Sequence, residues 1–458
     1  MVGLLMNNVT QENLHRTAKY FMDTGRAKSA EEAIGILKNF GLYVVAGDEV
    51  RNSRDHQIAL LSLVNLARRT FLRGVHVVNA PCSPLLVPLA NSLTVADAVD
   101  DLGGRNVGLT TQNWPVALVG SSNFGHHTEP SWRVTWQGWR GGTIPLKDGR
   151  RLQETASIGI TPALAAACCA AEVFMYYSCD HPMAGHREAG ISLWNPTAPW
   201  LEPDASEPAL SYLPDRLWLI GLGNLGQAYL WLLACLPYGN DPNLTLMLQD
   251  YDRLAESNDS TSVLTDSSMI GQMKTRAIAA WLEDRRFKVI ISERRFGEWT
   301  RRGPLEPRVA LFGVDNALAR ASLEKAGFEL VIETGLGAGP QGFRNFSLHS
   351  FPSSLEAAKI WSADDSSNTT NVLDMPAYDS SKHPGLDECG LALLASRTVG
   401  VPFVGLTAGA FAITELLRRL HGGIAIELVS ASMAALEDVE VSLVENRIYE
   451  FGHVAVAA

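Results

Sequence analysis

The chain has 458 residues, 46% of them apolar and 19% charged, and a formal net charge of −11. That length buries more than one core and predicts two or three domains. The acidic balance excludes general binding to nucleic acid or to an anionic membrane and leaves protein partners open.

Residues 1–40 show helical spacing, with Leu14, Tyr20 and Phe21 and then Ala33, Ile34 and Leu37 as the apolar positions. Thr10 and Ser29 suit N-caps, and Glu32, three residues after Ser29, gives a capping-box spacing. Residues 42–46 predict a strand, 55–71 a helix and 75–78 a second strand. From there the first half rhymes with the second. VALVGSSN (116–123) matches VALFGVDN (309–316), and AAACCAAEVF (165–174) matches AGAFAITELL (408–417), each with one glutamate late in an alanine-rich helix. VHVVNAPCSP (75–84) is placed opposite LWLIGLGNLG (217–226). Three matches in one order predict a degenerate repeat.

Residues 181–214, rich in proline, suit a linker. The second copy begins near Asp215 and holds an insertion over 340–400. Asn316 and Glu415 are 99 residues apart, whereas Asn123 and Glu172 are 49 apart. The tail, 426–458, alternates as two or three strands. The uncharged, apolar stretches 155–171 and 398–414 are 17 residues each, short of the roughly 20 that a spanning helix needs. No basic stretch opens the chain to suggest a signal peptide. Six cysteines (Cys82, Cys168, Cys169, Cys179, Cys235 and Cys389) form no C-x-x-C pair. That argues against paired-thiolate zinc and a disulfide framework, and for a reducing cytoplasm.

The most informative stretch is 217–274. A buried strand leads into Gly221, Gly223 and Gly226 and then a helix, and a second strand ends in Asp250 and Asp252. Such glycines let backbone approach a phosphate, and the helix N-terminus offers free N–H donors. On glycines alone, a nicotinamide Rossmann domain is the default. Beyond the glycines come Asp250-Tyr251-Asp252, then Glu256-Ser257-Asn258, then Gly271-x-x-Lys274. This series resembles the signature of ThiF-type and ubiquitin-like activating enzymes, which adenylate a protein C-terminus with ATP.

The resemblance implies two Rossmann-like ThiF-type adenylation folds in one chain, forming an internal pseudo-dimer. The N-terminal half (41–180) would be inactive, since it has Asn79, Pro81 and Pro84 opposite the three glycines and Ser122 opposite Asp315. The active half would span 215–425, after a helical extension (1–40) and the linker and before the β tail. By motif position, Gly221, Gly223 and Gly226 cradle phosphate and Asp250 meets the ribose. Asn258 bonds a phosphate or ribose oxygen, Lys274 neutralises phosphate and Asp315 holds Mg²⁺. The signature's usual arginine is replaced by Thr261.

In the family the opposite half lends an arginine from the helix before its first strand, a role that falls here on Arg54. Cys389, in Asp387-Glu388-Cys389-Gly390, resembles the cysteine that displaces AMP to form a thioester. The expected partners are a ubiquitin-like protein and a conjugating enzyme, in the cytoplasm, with neither nucleic acid nor membrane, and with the chain a monomer. Three alternatives stay open: a sulfur-carrier adenylase, an NAD(P)-dependent oxidoreductase and a catalytically dead adaptor.

Overall fold

Parallel strands covered on both faces need apolar residues at every position, and the short runs GLYVVA, VALV, RLWLI and VALF meet that need. The computed structural model describes residues 9–108, 112–122, 130–361, 372–379, 392, 394–445 and 452–456. Among them lie two large mixed sheets. The first has the order β3 (Arg105–Val107), β2 (Gly74–Val78), β1 (Gly41–Ala46), β4 (Val116–Val119), β5 (Ser131–Gln137), β6 (Arg140–Pro145) and β7 (Ala189–Ser192). The second has the order β11 (Lys288–Ser292), β10 (Thr245–Gln249), β9 (Arg216–Ile220), β12 (Val309–Phe312), β13 (Leu330–Leu336), β14 (Asn345–Phe351), β15 (Ala425–Ser432) and β16 (Ala435–Val444). In each, five parallel strands are followed by antiparallel ones, in matching sequence. A small ribbon pairs β8 (Tyr212–Pro214) with β17 (His453–Ala455).

The helices repeat as well. In the first half α1 (Lys19–Asp23) and α2 (Ala30–Leu37) precede β1, α3 (Arg54–Arg68) follows it, and α4 (Val95–Asp101) precedes β3. The alanine-rich α5 (Ile160–Ser178) lies between β6 and β7. In the second half α6 (Asn224–Cys235) follows β9, α7 (Glu256–Asp259) and α8 (Lys274–Glu283) follow β10, and α9 (Ala317–Ala321) follows β12. Then α10 (Pro402–Leu420) lies between β14 and β15. The late glutamates of α5 and α10 do equivalent work. Glu172 accepts from Gly185 and Arg187 on the approach to β7, and Glu415 binds Arg418 and Arg419 and accepts from Ile426 in β15.

Three expectations change here. The strand after which the chain turns into its first helix is β1, not β2, so the counterpart of the 217–226 stretch is the one starting at Gly41. The strand prediction at 75–78 was correct, but its pairing with β9 was not, because β2 occupies the place of β10. Residues 181–214 also do more than link, since β7 and β8 fall within them. Likewise β14, inside the expected 340–400 insertion, has β6 as its counterpart, so the extra length lies mainly between β14 and α10.

The halves join through helices. α10 of the second half packs on α5 of the first, and one hydrophobic cluster runs through both halves. Polar groups fix the register of the seam. Trp231 Nε1 donates to Ser62 Oγ at 2.9 Å, Asn65 donates to the Val263 carbonyl at 2.9 Å, and buried Arg69 reaches the Asp259, Val263 and Thr265 carbonyls. One helix among the described residues, α5, is long and apolar enough to cross a membrane, and 89% of its apolar window is buried inside the protein.

Candidate nucleotide site

The glycine turn after β9 is shaped by close approach. Gly221 has φ +86°, and a Cβ there would stand 2.9 Å from the Gly313 carbonyl at the end of β12. A Cβ on Gly226 would stand 2.0 Å from the Gly221 carbonyl, so this glycine seats α6 on the turn. Gly223 is different: a Cβ there meets nothing within 4 Å, and the residue caps α6 at the wall of a cleft. The cleft is about 1360 Å³ in volume. It brings together Gly221, Gly223, Asp250, Asn258, Lys274 and Asp315. Seven cationic side chains line it against five acidic ones, an inversion of the charge balance of the whole chain.

Each polar residue is held in its own way. Asp250, 8% exposed, accepts from the Leu222 N–H at 2.7 Å and the Asp252 N–H at 2.9 Å, so it braces the glycine turn. Lys274 begins α8; its Nζ lies 3.0 Å from Asp252 and 3.9 Å from Asp250. Asn258 accepts from the Ala255 N–H at 2.9 Å and so closes the turn of α7. Asp315 is exposed and, among the described residues, its carboxylate has neither a hydrogen bond nor an ion pair. An unpaired carboxylate inside a cationic cleft is suited to a hard divalent cation. Among the described residues no cluster of three or more metal-ligating side chains exists, so an ion there would need oxygens from a ligand or water.

Arg54 does not line the cleft. It begins α3 and donates to the Leu236 carbonyl at 3.0 Å, close under Gly159, and burial lowers its pKa. It is a seam residue. The arginine that does reach the cleft from the N-terminal side is Arg16, in the segment before α1, which donates to the Thr398 carbonyl at 2.8 Å and hydroxyl at 2.9 Å. Its signal was present in the sequence: it precedes β1, which is the first strand once the repeat is aligned correctly. Arg397 also lines the cleft and was missed. Thr261, 6% exposed, packs against Gly400.

At the matching place in the first half the site is filled by the chain itself. Gly47 follows β1 as Gly221 follows β9, and Glu49 turns back to accept from the Ser121 N–H and hydroxyl, each at 2.6 Å, and from Arg151 at 3.0 Å. Burial would raise the Glu49 pKa, but these bonds outweigh it and hold the carboxyl at about 2. Cys389, Asp387 and Glu388 lie outside the described residues. Cys168, Cys169 and Cys235 are buried, and burial pushes the Cys169 and Cys235 thiols up to about 12, the wrong direction for a nucleophile at neutral pH.

Comparison with known proteins agrees with the two-part organisation. A family model described as the BilD N-terminal domain matches residues 41–193, and one described as the BilD C-terminal domain matches residues 213–423. A bacterial E1-like protein BilD from Collimonas sp. (strain OK412) is 53% identical over 440 residues, covering 96% of this chain and 95% of that protein. Among solved structures, E. coli MccB with ATP is 11% identical with a TM-score of 0.34, over 51% of this chain and 65% of that one. E. coli tRNA N6-threonylcarbamoyladenosine dehydratase, TcdA, is 13% identical with a TM-score of 0.30, over 45% and 86%. Likenesses this slight carry no conclusion about activity.

Proposed function

Because the chain belongs to the BilD family of bacterial E1-like proteins, we propose that it adenylates the C-terminus of a ubiquitin-like protein with ATP·Mg²⁺. The observation that supports this most is the meeting of Asp315, Lys274 and Arg16 around the open wall at Gly223. In the reaction, a carboxylate oxygen of the carrier attacks the α-phosphorus, an acyl-phosphate bond forms, and pyrophosphate leaves with the electrons of the broken P–O bond. Two anions must meet, so the site's work is charge neutralisation and in-line placement.

On this reading the N-terminus of α6, capped by Gly223, receives phosphate oxygens, and Lys274 offsets their charge. Asp250 keeps the turn in shape and has a lone pair left for a ribose hydroxyl. Asn258 has its amide N–H groups for a phosphate or ribose oxygen. Asp315 holds Mg²⁺, which when bound screens the phosphates and favours pyrophosphate departure. Arg16 takes the cation role first assigned to Arg54. The N-terminal half, with Glu49 in the phosphate's place, is the inactive partner of a pseudo-dimer within one cytoplasmic chain. The Cys389 thiolate then attacks the acyl carbon, AMP leaves, and a conjugating enzyme accepts the carrier from the thioester. Hydride transfer would give the unpaired Asp315 and the surrounding cations no task.

The test is carrier-dependent ATP–pyrophosphate exchange with Asp315→Ala. Exchange should fall at least a hundredfold, about 2.7 kcal/mol of lost transition-state stabilisation. Exchange equal to that of the parent chain would remove the metal role from Asp315.

A further inference from the structure

We propose that Arg397 is a polyphosphate-binding residue, forming with Arg16 a clasp of two guanidinium groups. The proposal rests on the adenylation reading above. Residues 398–401 are fastened from two sides. Arg16 donates twice to Thr398, the Gly400 N–H donates to the Arg16 carbonyl at 3.3 Å, and the Thr17 hydroxyl donates to the Gly400 carbonyl at 3.1 Å. From the other side Asn224, the first residue of α6, donates to the Val401 carbonyl at 3.3 Å. The backbone that delivers Arg397 is therefore tied both to the N-terminal segment and to the helix whose N-terminus meets the cleft.

The positive charges in this corner are only partly offset, since Asp315 and Asp23 act on Arg16 from beyond ion-pair distance. Arg397 donates to the neutral Gln11 side chain at 2.8 Å, and Arg16 spends its bonds on neutral Thr398. Among the described residues neither arginine has a carboxylate within ion-pair distance. Burial, and then the neighbouring Arg397, lower the Arg16 pKa to about 10. Two guanidinium groups beside one another at a cleft wall repel, and a ligand with more than one negative charge between them relieves that repulsion. Each presents a planar fork suited to phosphate oxygens. Thr261, packed against Gly400, offers no charge there, so the second cation comes from the turn itself. The β- and γ-phosphates of ATP match this demand, whereas the single phosphate of AMP does not need it.

The experiment measures binding of ATP·Mg²⁺, pyrophosphate·Mg²⁺ and AMP to the full chain, to Arg397→Gln and to Arg397→Lys. Arg397→Gln should lose roughly ten- to hundred-fold in affinity for ATP and pyrophosphate, the worth of a charged hydrogen bond, and less than about twofold for AMP. Arg397→Lys should recover part of the loss, since it keeps the charge but not the fork. An ATP-to-AMP affinity ratio in Arg397→Gln equal to that of the parent would overturn the assignment, even in a less stable variant. If the parent chain binds ATP no better than AMP, the clasp is absent although the nucleotide site stands. If it binds neither, the adenylation reading fails and takes this proposal with it.

Discussion

Gly223 and Gly226 are three residues apart and should fail in opposite ways when changed to alanine. At Gly226 the new Cβ would begin 2.0 Å from the Gly221 carbonyl oxygen, so helix and turn must separate by about 1.4 Å to reach an ordinary contact of 3.4 Å. Backbone cannot yield as a flexible side chain does, and overpacking of this kind costs about 1–3 kcal/mol. With about 2–4 °C per kcal/mol for a domain of 150–250 residues, the melting midpoint should fall by about 2–12 °C without any ligand. At Gly223 the new Cβ meets no atom within 4 Å, so stability should hold. The methyl group would project into the cleft instead, where the adenylation reading places a phosphate oxygen against the backbone N–H. Scanning calorimetry without nucleotide and titration with ATP·Mg²⁺ separate the two effects. The expected result is a midpoint shift for Gly226→Ala and an affinity loss of at least tenfold, with an unshifted midpoint, for Gly223→Ala. Unchanged ATP affinity in Gly223→Ala would refute the placement of phosphate against this turn.

Other substitutions address the seam, the thiol and the filled site. Arg54→Ala should destabilise the chain by about 1–3 kcal/mol, since it strands the Leu236 carbonyl, while ATP affinity measured by titration stays within twofold. Cys389→Ala should keep carrier-dependent ATP–pyrophosphate exchange yet form no reducible carrier adduct on a non-reducing gel; a full adduct in that variant would move the thioester elsewhere. Glu49 has a folded pKa of about 2 against an ordinary 4.5, so its stabilising effect is complete above pH 4.5 and is lost as pH falls toward 2. Glu49→Gln should lower the urea midpoint at pH 7 and flatten its decline over that acid window.

The parts of this molecule legible in the sequence were those where one local pattern dictates one geometry. Glycines at 221, 223 and 226 after an apolar run could be placed on a strand-turn-helix unit, because few other residues tolerate the close approaches at Gly221 and Gly226. The repeat was legible where identical roles left identical letters, as in the two strands ending at Gly120 and Gly313 and in Glu172 and Glu415. It slipped at the first strand because GLYVVAGDEV has lost the glycine pattern of its partner: Glu49 and a short 3₁₀ turn stand where phosphate-binding backbone would be. With that slip the arginine before the first strand was read as Arg54, whereas the one that lines the cleft is Arg16. Arg397 was illegible for another reason. Its position depends on hydrogen bonds spanning 382 and 386 residues of chain, one donated by Arg16 to the neighbouring Thr398 carbonyl and one donated by Arg397 itself to Gln11, and no periodicity reports such contacts.

Those long spans also set a timetable for synthesis. The cleft draws one wall from Gln11 and Arg16, its floor from the turn at Gly221 and another wall from residues 397–400. The Arg16–Thr398 bond joins residues 382 positions apart. At about 5–20 residues per second, roughly 20–80 s separate the emergence of one partner from that of the other. The strands of the first sheet are all made by the end of β7, well before those of the second sheet exist. No nascent chain shorter than about 400 residues holds a finished nucleotide cleft. Nothing that needs the whole cleft can therefore begin on the ribosome until synthesis has reached α10.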